Sequence, residues 1–400
     1  MSATAPATRT DAPAPVSGHD DRHDDRPGTR WATRLGFLVA GFGMACWAPL
    51  VPVLQQRLGL SAGALGLLML CMGLGSVASM VAAGWWSARH GPRPVILSSG
   101  LSLALCVPLL AAVQQPWQLG LALAAFGASV GALDVAINVH AAAVERAAGR
   151  PLMAGFHAQF SLGGFLGAGL MTWFLAVFLP GLGALASALP AAALMALAML
   201  LAWQHLLQTP GTTQPVPLLA WPRGPVRLLA ALAGLCFLVE GAVLDWGGLF
   251  ILQQGLASPA QAGLGYVLFS LAMTAGRLAG DAASTRLGDR RLLQAGGLLA
   301  AAGFGLLLLA PWAPLALAGF AAIGLGAANL VPVLFRRTGV QTQMPVPLAI
   351  AAVSTTGYAG VLLGPAAVGA VAQFTSLGAA FWGLGLLLLP LVLLGRRVAP

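Results

Sequence analysis

From Trp31 to Arg397 the chain is a succession of apolar runs, each about as long as a bilayer is thick, separated by short stretches that hold most of its charge. A membrane-spanning helix needs about 20 predominantly apolar residues. Twelve runs meet that length: 35–55, 64–86, 95–113, 119–141, 152–179, 183–203, 228–252, 261–280, 292–311, 314–335, 346–371 and 377–395. Many of them contain glycine and proline, which membrane helices tolerate better than soluble ones do. A transmembrane β-barrel would instead read as short segments of alternating hydrophobicity, about ten residues each. Soluble folds fail on composition. Charged residues make up 8% of the chain and the mean hydropathy is +0.85, whereas an ordinary soluble domain carries about 25% charge. The fold class expected is an all-α polytopic membrane protein.

Eleven acidic residues are present, and five of them (Asp11, Asp20, Asp21, Asp24 and Asp25) lie in the first thirty positions. Six remain for the rest: Asp134, Glu145, Glu240, Asp245, Asp281 and Asp289. All twenty basic residues are arginine, giving a net charge of +9. They occur singly or in twos and threes between apolar runs, with no basic face interleaved with aromatics, so no nucleic-acid partner is expected. Without lysine a G-x-x-x-x-G-K-[ST] phosphate loop cannot exist, and ATP-driven transport by this chain alone is excluded. Gly163, Gly164, Gly167 and Gly169 read as small-residue helix packing. No enzyme or cofactor signal is found. Cys46, Cys71, Cys106 and Cys236 sit inside apolar runs without metal-ligand spacing and are expected to pack. Residues 1–30 read as a disordered tail, in which His19-Asp20-Asp21-Arg22 recurs as His23-Asp24-Asp25-Arg26. The repeat is expected to be solvated rather than to hold a metal. The tail lacks the apolar core of a signal peptide, so the first helix is expected to serve as the membrane signal. Absence of lysine beside abundant Ala, Gly and Arg points to a GC-rich bacterial genome and a bacterial inner-membrane location.

Orientation follows from the arginines, because short cytoplasmic loops are enriched in basic residues. With the N-terminus inside, the inner loops hold Arg30 and Arg34; Arg89 and Arg93; Arg146 and Arg150; Arg223 and Arg227; Arg286, Arg290 and Arg291; Arg336 and Arg337; and Arg396 and Arg397. Only Arg57 falls outside. Both termini are therefore expected to be cytoplasmic. Trp117 and Trp312 then mark the outer interface, and Trp31, Trp85, Trp86 and Trp203 the inner one. The proline-rich stretch 204–227 reads as a cytoplasmic linker between an N-terminal six-helix bundle (31–203) and a C-terminal one (228–400).

The two halves repeat. Arg89-His90-Gly91-Pro92-Arg93 matches Arg286-Leu287-Gly288-Asp289-Arg290 at an offset of 197, and Ser61 and Gly66 match Ser258 and Gly263. Leu54-Gln55-Gln56 matches Leu252-Gln253-Gln254, Trp47 matches Trp246, and Gly131 with Asp134 matches Gly326 with Asn329. An even number of helices per half makes the copies parallel, related by an axis along the membrane normal.

Twelve helices in two parallel repeats, with R-x-G-x-R between the second and third helix of each, resemble the major facilitator superfamily over residues 31–397. The family's signature there is G-x-x-x-D-R-x-G-R-R. This chain has Gly84-Trp85-Trp86-Ser87-Ala88-Arg89-His90-Gly91-Pro92-Arg93, keeping Gly84, Arg89, Gly91 and Arg93 but placing Ala88 and Pro92 where the family has aspartate and arginine. The resemblance implies that this loop latches the two halves, with Arg277 and Asp281 as an Arg/Asp pair in the C-terminal counterpart. Asp134-Val-Ala-Ile-Asn138, Val144-Glu-Arg146 with Gly149-Arg150, His157 with Ser161-Leu-Gly163, and Glu240-Gly241 with Asp245-Trp246 look like the branch near the fucose-permease-type sugar transporters. That likeness implies proton-coupled sugar transport, although here the first helix lacks the carboxylate such permeases carry.

An ionisable residue inside a membrane helix costs about 2.5–3.5 kcal/mol and tends to mark a pathway. Asp134, Glu240, Asp245 and His157 are therefore the proton-coupling candidates. Asp245 lies about 140° around the helix from Glu240, so the two are not expected to share a face. Trp47, Asn138, Trp246 and Asn329 are the substrate-binding candidates. Gating candidates are Arg89, Gly91, Arg93, Glu145, Arg146, Arg150, Arg277, Asp281 and Arg286, with Glu145 expected to meet Arg89 or Arg93. The expectation is a monomeric secondary transporter, embedded in the lipid bilayer, that imports a small polar solute such as a sugar together with protons. Drug or metabolite efflux by proton antiport is the alternative within the class. A non-transporting sensor on the same fold is the alternative outside it.

Overall fold

A computed structural model describes residues 27–218, 220–257, 261 and 263–399. Most of the amino-terminal tail, with its HDDR repeat, and Ser258 of the internal repeat lie outside the described residues. Within them every regular element is an α-helix: α1 (Pro27–Leu58), α2 (Ala62–His90), α3 (Arg93–Ala112), α4 (Pro116–Ala148), α5 (Met153–Trp203), α6 (Pro225–Gln253), α7 (Leu264–Leu287), α8 (Asp289–Leu308), α9 (Ala313–Ala327), α10 (Leu330–Val340), α11 (Val346–Phe374), α12 (Leu377–Leu386) and α13 (Leu389–Val398). The first helix starts at Pro27, inside the expected tail, and α6 at Pro225, inside the expected linker.

Among the described residues, thirteen helices map onto the twelve apolar runs. The 51 residues of α5 are two crossings run together, with Gly183 at φ 82°, ψ 174° three residues past Pro180. Two other runs are each split in two. Proline has no N–H and frees the carbonyl four residues before it. Pro332 does this to Ala328 where α9 gives way to α10, and Pro390 does it to Leu386 where α12 gives way to α13. Among the described residues ten helices, with each split run counted once, are long and apolar enough to span a membrane. The second half of α5 adds a further apolar run, and the 24 residues of α7 reach about 36 Å while carrying Arg277, Asp281 and Arg286.

Backbone-to-backbone contact through glycine joins the helices, as expected where lipid supplies no hydrophobic drive for helix association. A Cβ on Gly41 would lie 2.0 Å from the Phe160 carbonyl oxygen, and one on Gly167 would lie 2.2 Å from that of Phe42, both between α1 and α5. Between α2 and α4, a Cβ on Gly127 would lie 1.9 Å from the Met72 oxygen. The C-terminal half repeats both pairings. Gly360 sits against Gly234 between α6 and α11, and Gly324 against Phe269 between α7 and α9. The repeat extends to dihedral angles. Gly91 has φ 80°, ψ 160°, and its N–H donates to the Ser87 carbonyl at 2.9 Å; Gly288 has φ 79°, ψ 154°, and donates to the Ser284 carbonyl at 2.9 Å. Positive φ at this turn is why glycine stands in the middle of each R-x-G-x-R.

Both ends of the described chain lie at the arginine-rich end of the bundle. Trp31 meets His205 edge-on at 6.0 Å, and Gly395 packs on Gln294 and the Arg290 carbonyl. The segment joining α5 to α6 crosses the same end. Thr212 donates its N–H to the Ala88 carbonyl at 3.0 Å, and Trp85 Nε1 donates to the Val216 carbonyl at 3.1 Å. Buried His140 staples the start of this segment. Its Nε2 accepts the Leu207 N–H at 2.8 Å and its Nδ1 lies 3.2 Å from the Thr33 hydroxyl, so the proton sits on Nδ1.

Candidate functional site

The first N–H groups of a helix have no partner within it and attract negative charge. At the start of α5 two carboxylates take four of them. Glu145 Oε2 accepts from Leu152 at 2.6 Å and Met153 at 2.7 Å. Asp281 accepts from Ala154 at 3.0 Å and Gly155 at 2.8 Å. Glu145 belongs to the same half as α5, whereas Asp281 reaches across from α7. Arg336 of α10 ties the two acids together, its Nε 2.8 Å from Glu145 and its Nη2 3.4 Å from Asp281. Its Nη1 reaches Asp289 at 2.6 Å and also bonds Ser284, while Arg337 pairs with Asp289 at 2.8 Å. One guanidinium, two acids and a helix end thus close the seam between α5 and α7 at the arginine-rich end. The matching seam between α2 and α11 has no carboxylate at the equivalent position. At an offset of 197 Asp281 corresponds to Gly84, where a Cβ would lie 2.4 Å from that of Ala351.

Here the geometry departs from the expected gate. Glu145 pairs with Arg336 rather than with Arg89 or Arg93, because those two stand over tryptophans: Arg89 6.0 Å above Trp85, Arg93 4.1 Å above Trp203. Arg146 returns to its own helix at the Ala142 carbonyl, 3.3 Å away, and Arg150 and Arg286 are exposed. Asp281 finds its ion partner in Arg336, and Arg277 finds a different one.

Arg277 projects from the middle of α7 and is 7% exposed. Its Nε donates at 3.3 Å to the Ala328 carbonyl, the one that Pro332 leaves without a helical donor. Its Nη1 donates to Ser161 of α5 at 2.8 Å, across the two halves, and its Nη2 lies 3.9 Å from Glu240 Oε2. Glu240 stands on α6, fifteen positions from its start at Pro225, about 22 Å in. Its other oxygen is buried without a hydrogen-bond partner. His157, one turn before Ser161, is 8% exposed, lies between the rings of Phe37 and Phe335, and has Nε2 unpartnered. Tyr266 of α7 stands within electrostatic reach of Glu240, Arg277 and Asp245. Asp245 is exposed, nearer the opposite end of α6.

Asp134 joins the halves at a comparable depth. Because α4 runs on to Ala148, this carboxylate lies about 21 Å from the helix end, deeper than the apolar run alone implied. Its Oδ2 accepts the Ser354 hydroxyl of α11 at 2.9 Å, and its Oδ1 lies 3.4 Å from Asn138 Nδ2. Asn138 is fully buried, with Nδ2 on the Asp134 carbonyl at 2.9 Å and Oδ1 unpartnered. Asn329 sits in the break between α9 and α10, its Nδ2 on the Gly276 carbonyl at 3.0 Å and its Oδ1 also unpartnered. Trp47 is buried in the core, and Trp246 Nε1 is held by the Pro365 carbonyl at 3.2 Å. The structure therefore groups Glu240, Arg277 and His157 on one side and Asp134 with Asn138 on the other, with Asn329 held against α7 at Gly276 and Gly280. Sequence reasoning missed Arg336, Ser161 and Ser354 as partners. The proline four residues after Ala328 was a readable sign of a free carbonyl at mid-helix.

Residues 34–257 match the family model described as the Major Facilitator Superfamily. An uncharacterized MFS-type transporter of Yersinia pestis is 44% identical over 367 residues, covering 92% of this chain and 95% of the relative. Among solved structures, the MFS transporter FucP in its outward conformation superposes with a TM-score of 0.75 at 15% identity, covering 94% of this chain and all of that one. The human organic anion transporter MFSD10 gives 0.73 at 20% identity, covering 92% and 100%. The duplicated loop, the paired helix contacts and the long apolar helices agree with these matches, and the chain belongs to the Major Facilitator Superfamily of multi-pass membrane transporters.

Proposed function

We propose that this protein is a proton-coupled importer of a small polar solute, working by alternating access. Its two bundles, residues 31–203 and 228–400 joined by 204–227, would rock about a mid-membrane site, with the arginine-rich end in the cytoplasm of a bacterial cell and the chain acting as a monomer. The positive-inside rule supports that orientation. One observation carries the reading: two deep carboxylates stand at the seams between the halves, Asp134 on Ser354 of α11 and Glu240 joined through Arg277 to Ser161 of α5. A group so placed changes its partners whenever the halves separate, so proton uptake and conformational change become one equilibrium. The conformation described, latched at the arginine-rich end by Asp281, Glu145 and Arg336, would admit solute from outside. FucP, of similar fold, is described as a fucose:proton symporter, which accords with this direction.

In liposomes Asp134→Asn or Glu240→Gln should abolish accumulation driven by a pH difference while leaving solute exchange partly intact, because an amide resembles the protonated acid. Accumulation that survives in both variants would exclude coupling through these residues.

A further inference from the structure

Arg277 is under-occupied for a guanidinium at mid-membrane. Five N–H donors are available to it. One goes to a backbone carbonyl, one to Ser161, and the contact to Glu240 at 3.9 Å exceeds hydrogen-bond length. Beside it two buried polar atoms have no partner, Glu240 Oε1 and His157 Nε2, while Asn329 Oδ1, also without one, lies against Gly280. His157 and Asn329 are each 8% exposed. Arg277, Glu240 and His157 come from α7, α6 and α5, so they face one site drawn from both halves.

The charge balance of that site constrains what can enter. Besides Arg277, the titratable groups facing Glu240 are Tyr266 from α7 and Cys236 from its own helix, with Asp245 further along. His157 of α5 lies near Arg277, and Tyr358 of α11 stands against Phe237 rather than Glu240. Arg277 is the sole cation among them, and Glu240 is the anion nearest it. When Glu240 takes a proton, the guanidinium is left without a counter-charge in a low-dielectric interior, which is strongly unfavourable. A neutral solute leaves that penalty in place, and a cationic one adds to it. A carboxylate removes it, since its two oxygens match the guanidinium fork.

Resting on the carrier reading above, we infer that the transported solute bears a carboxylate, which Arg277 binds in place of Glu240 as Glu240 is protonated. The proton passes from water to a Glu240 oxygen, the solute carboxylate pairs with Arg277, and the loaded site keeps the net charge of the empty one. Uptake is then electroneutral for a monoanion.

The test is a thermal-stability panel on the purified full chain that sets sugar acids and hydroxy acids (gluconate, glucuronate, lactate) against glucose, inositol and glycerol. Solutes that bind are then followed for uptake into liposomes under a pH difference. At least one carboxylate should stabilise the protein, more at acid than at alkaline pH. Arg277→Lys, which keeps the charge but loses the fork, should weaken that binding about tenfold. Glu240→Gln should still bind the acid, with the pH dependence lost. Ser161→Ala offers a milder lesion of the same site if Arg277→Lys folds poorly, and should weaken binding in the same direction. Stabilisation only by neutral solutes, or by none of the carboxylates, overturns the inference. If a neutral solute then accumulates under the pH difference, the carrier reading stands without it; if nothing in either set accumulates, both fall.

Discussion

Asp281→Asn isolates the electrostatic part of the latch. The wild-type carboxylate accepts two backbone N–H bonds at the start of α5, at 3.0 and 2.8 Å, and lies 3.4 Å from Arg336. Hydrogen bonds to a charged group contribute about 1.5–3 kcal/mol each, against about 1 kcal/mol for neutral ones. A negative charge at a helix N-terminus adds about 0.3–1 kcal/mol, rising to about 2 when partly buried. An amide retains one acceptor and the shape of the side chain. Allowing for imperfect geometry and non-additivity, the substitution should lift the latched state by about 2 kcal/mol relative to the open one, a shift in their ratio of about thirtyfold. Because Asp281 and α5 belong to different halves, most of that loss falls on the conformational equilibrium rather than on folding. Spin labels at exposed Arg150 and Thr285, one on each half at the arginine-rich end, would read it as a longer-distance population that is minor in the wild type. A distance distribution unchanged by the substitution, with the variant folded, would refute the argument.

Gly167→Ala should lower the midpoint of thermal unfolding, since its Cβ would fall 2.2 Å from the Phe42 carbonyl and overpacking costs about 1–3 kcal/mol. Gly169→Ala, two residues on with nothing within 4 Å, should leave the midpoint unchanged or raise it, and equal effects at the two sites would contradict the close α1–α5 contact. His140→Ala leaves the Leu207 N–H buried without its acceptor, a cost of about 1–3 kcal/mol, so tryptic cleavage after Arg223 in the connecting segment should accelerate. A cleavage rate equal to wild type would mean that the staple does not restrain that segment.

Much of the architecture is legible in the residues because the bilayer permits so few solutions. Without water to satisfy backbone groups, each span must be a helix with its bonds made internally. Run length alone therefore counts twelve crossings, and arginine placement sorts the loops. The R-x-G-x-R pairs disclose the duplication, since Gly91 and Gly288 are required by the same positive φ. The break at Pro180 and Gly183 was legible as the gap between two runs, but other breaks were not. Pro332 and Pro390 fall inside apolar runs whose mean hydropathy does not register a lost N–H, so two continuous spans were expected where α9–α10 and α12–α13 are split.

Partners were another matter. The sequence marked Asp134 and Glu240 by their cost in the membrane, and Glu145 and Asp281 as gating charges at the inner end, but it did not disclose the partner each one meets. Arg336 lies 191 positions from Glu145, and Ser354 lies 220 from Asp134. Neither pairing leaves a trace in local periodicity, because it arises only when two separately packed bundles are brought face to face. The same holds for Arg277, which looks like half of an Arg/Asp pair with nearby Asp281. Helix α7 turns those two side chains to different neighbours, Arg277 to Glu240 and Ser161, Asp281 to the start of α5. The composition of each helix determined which charges lie deep. The docking of one half against the other decided which of them balance.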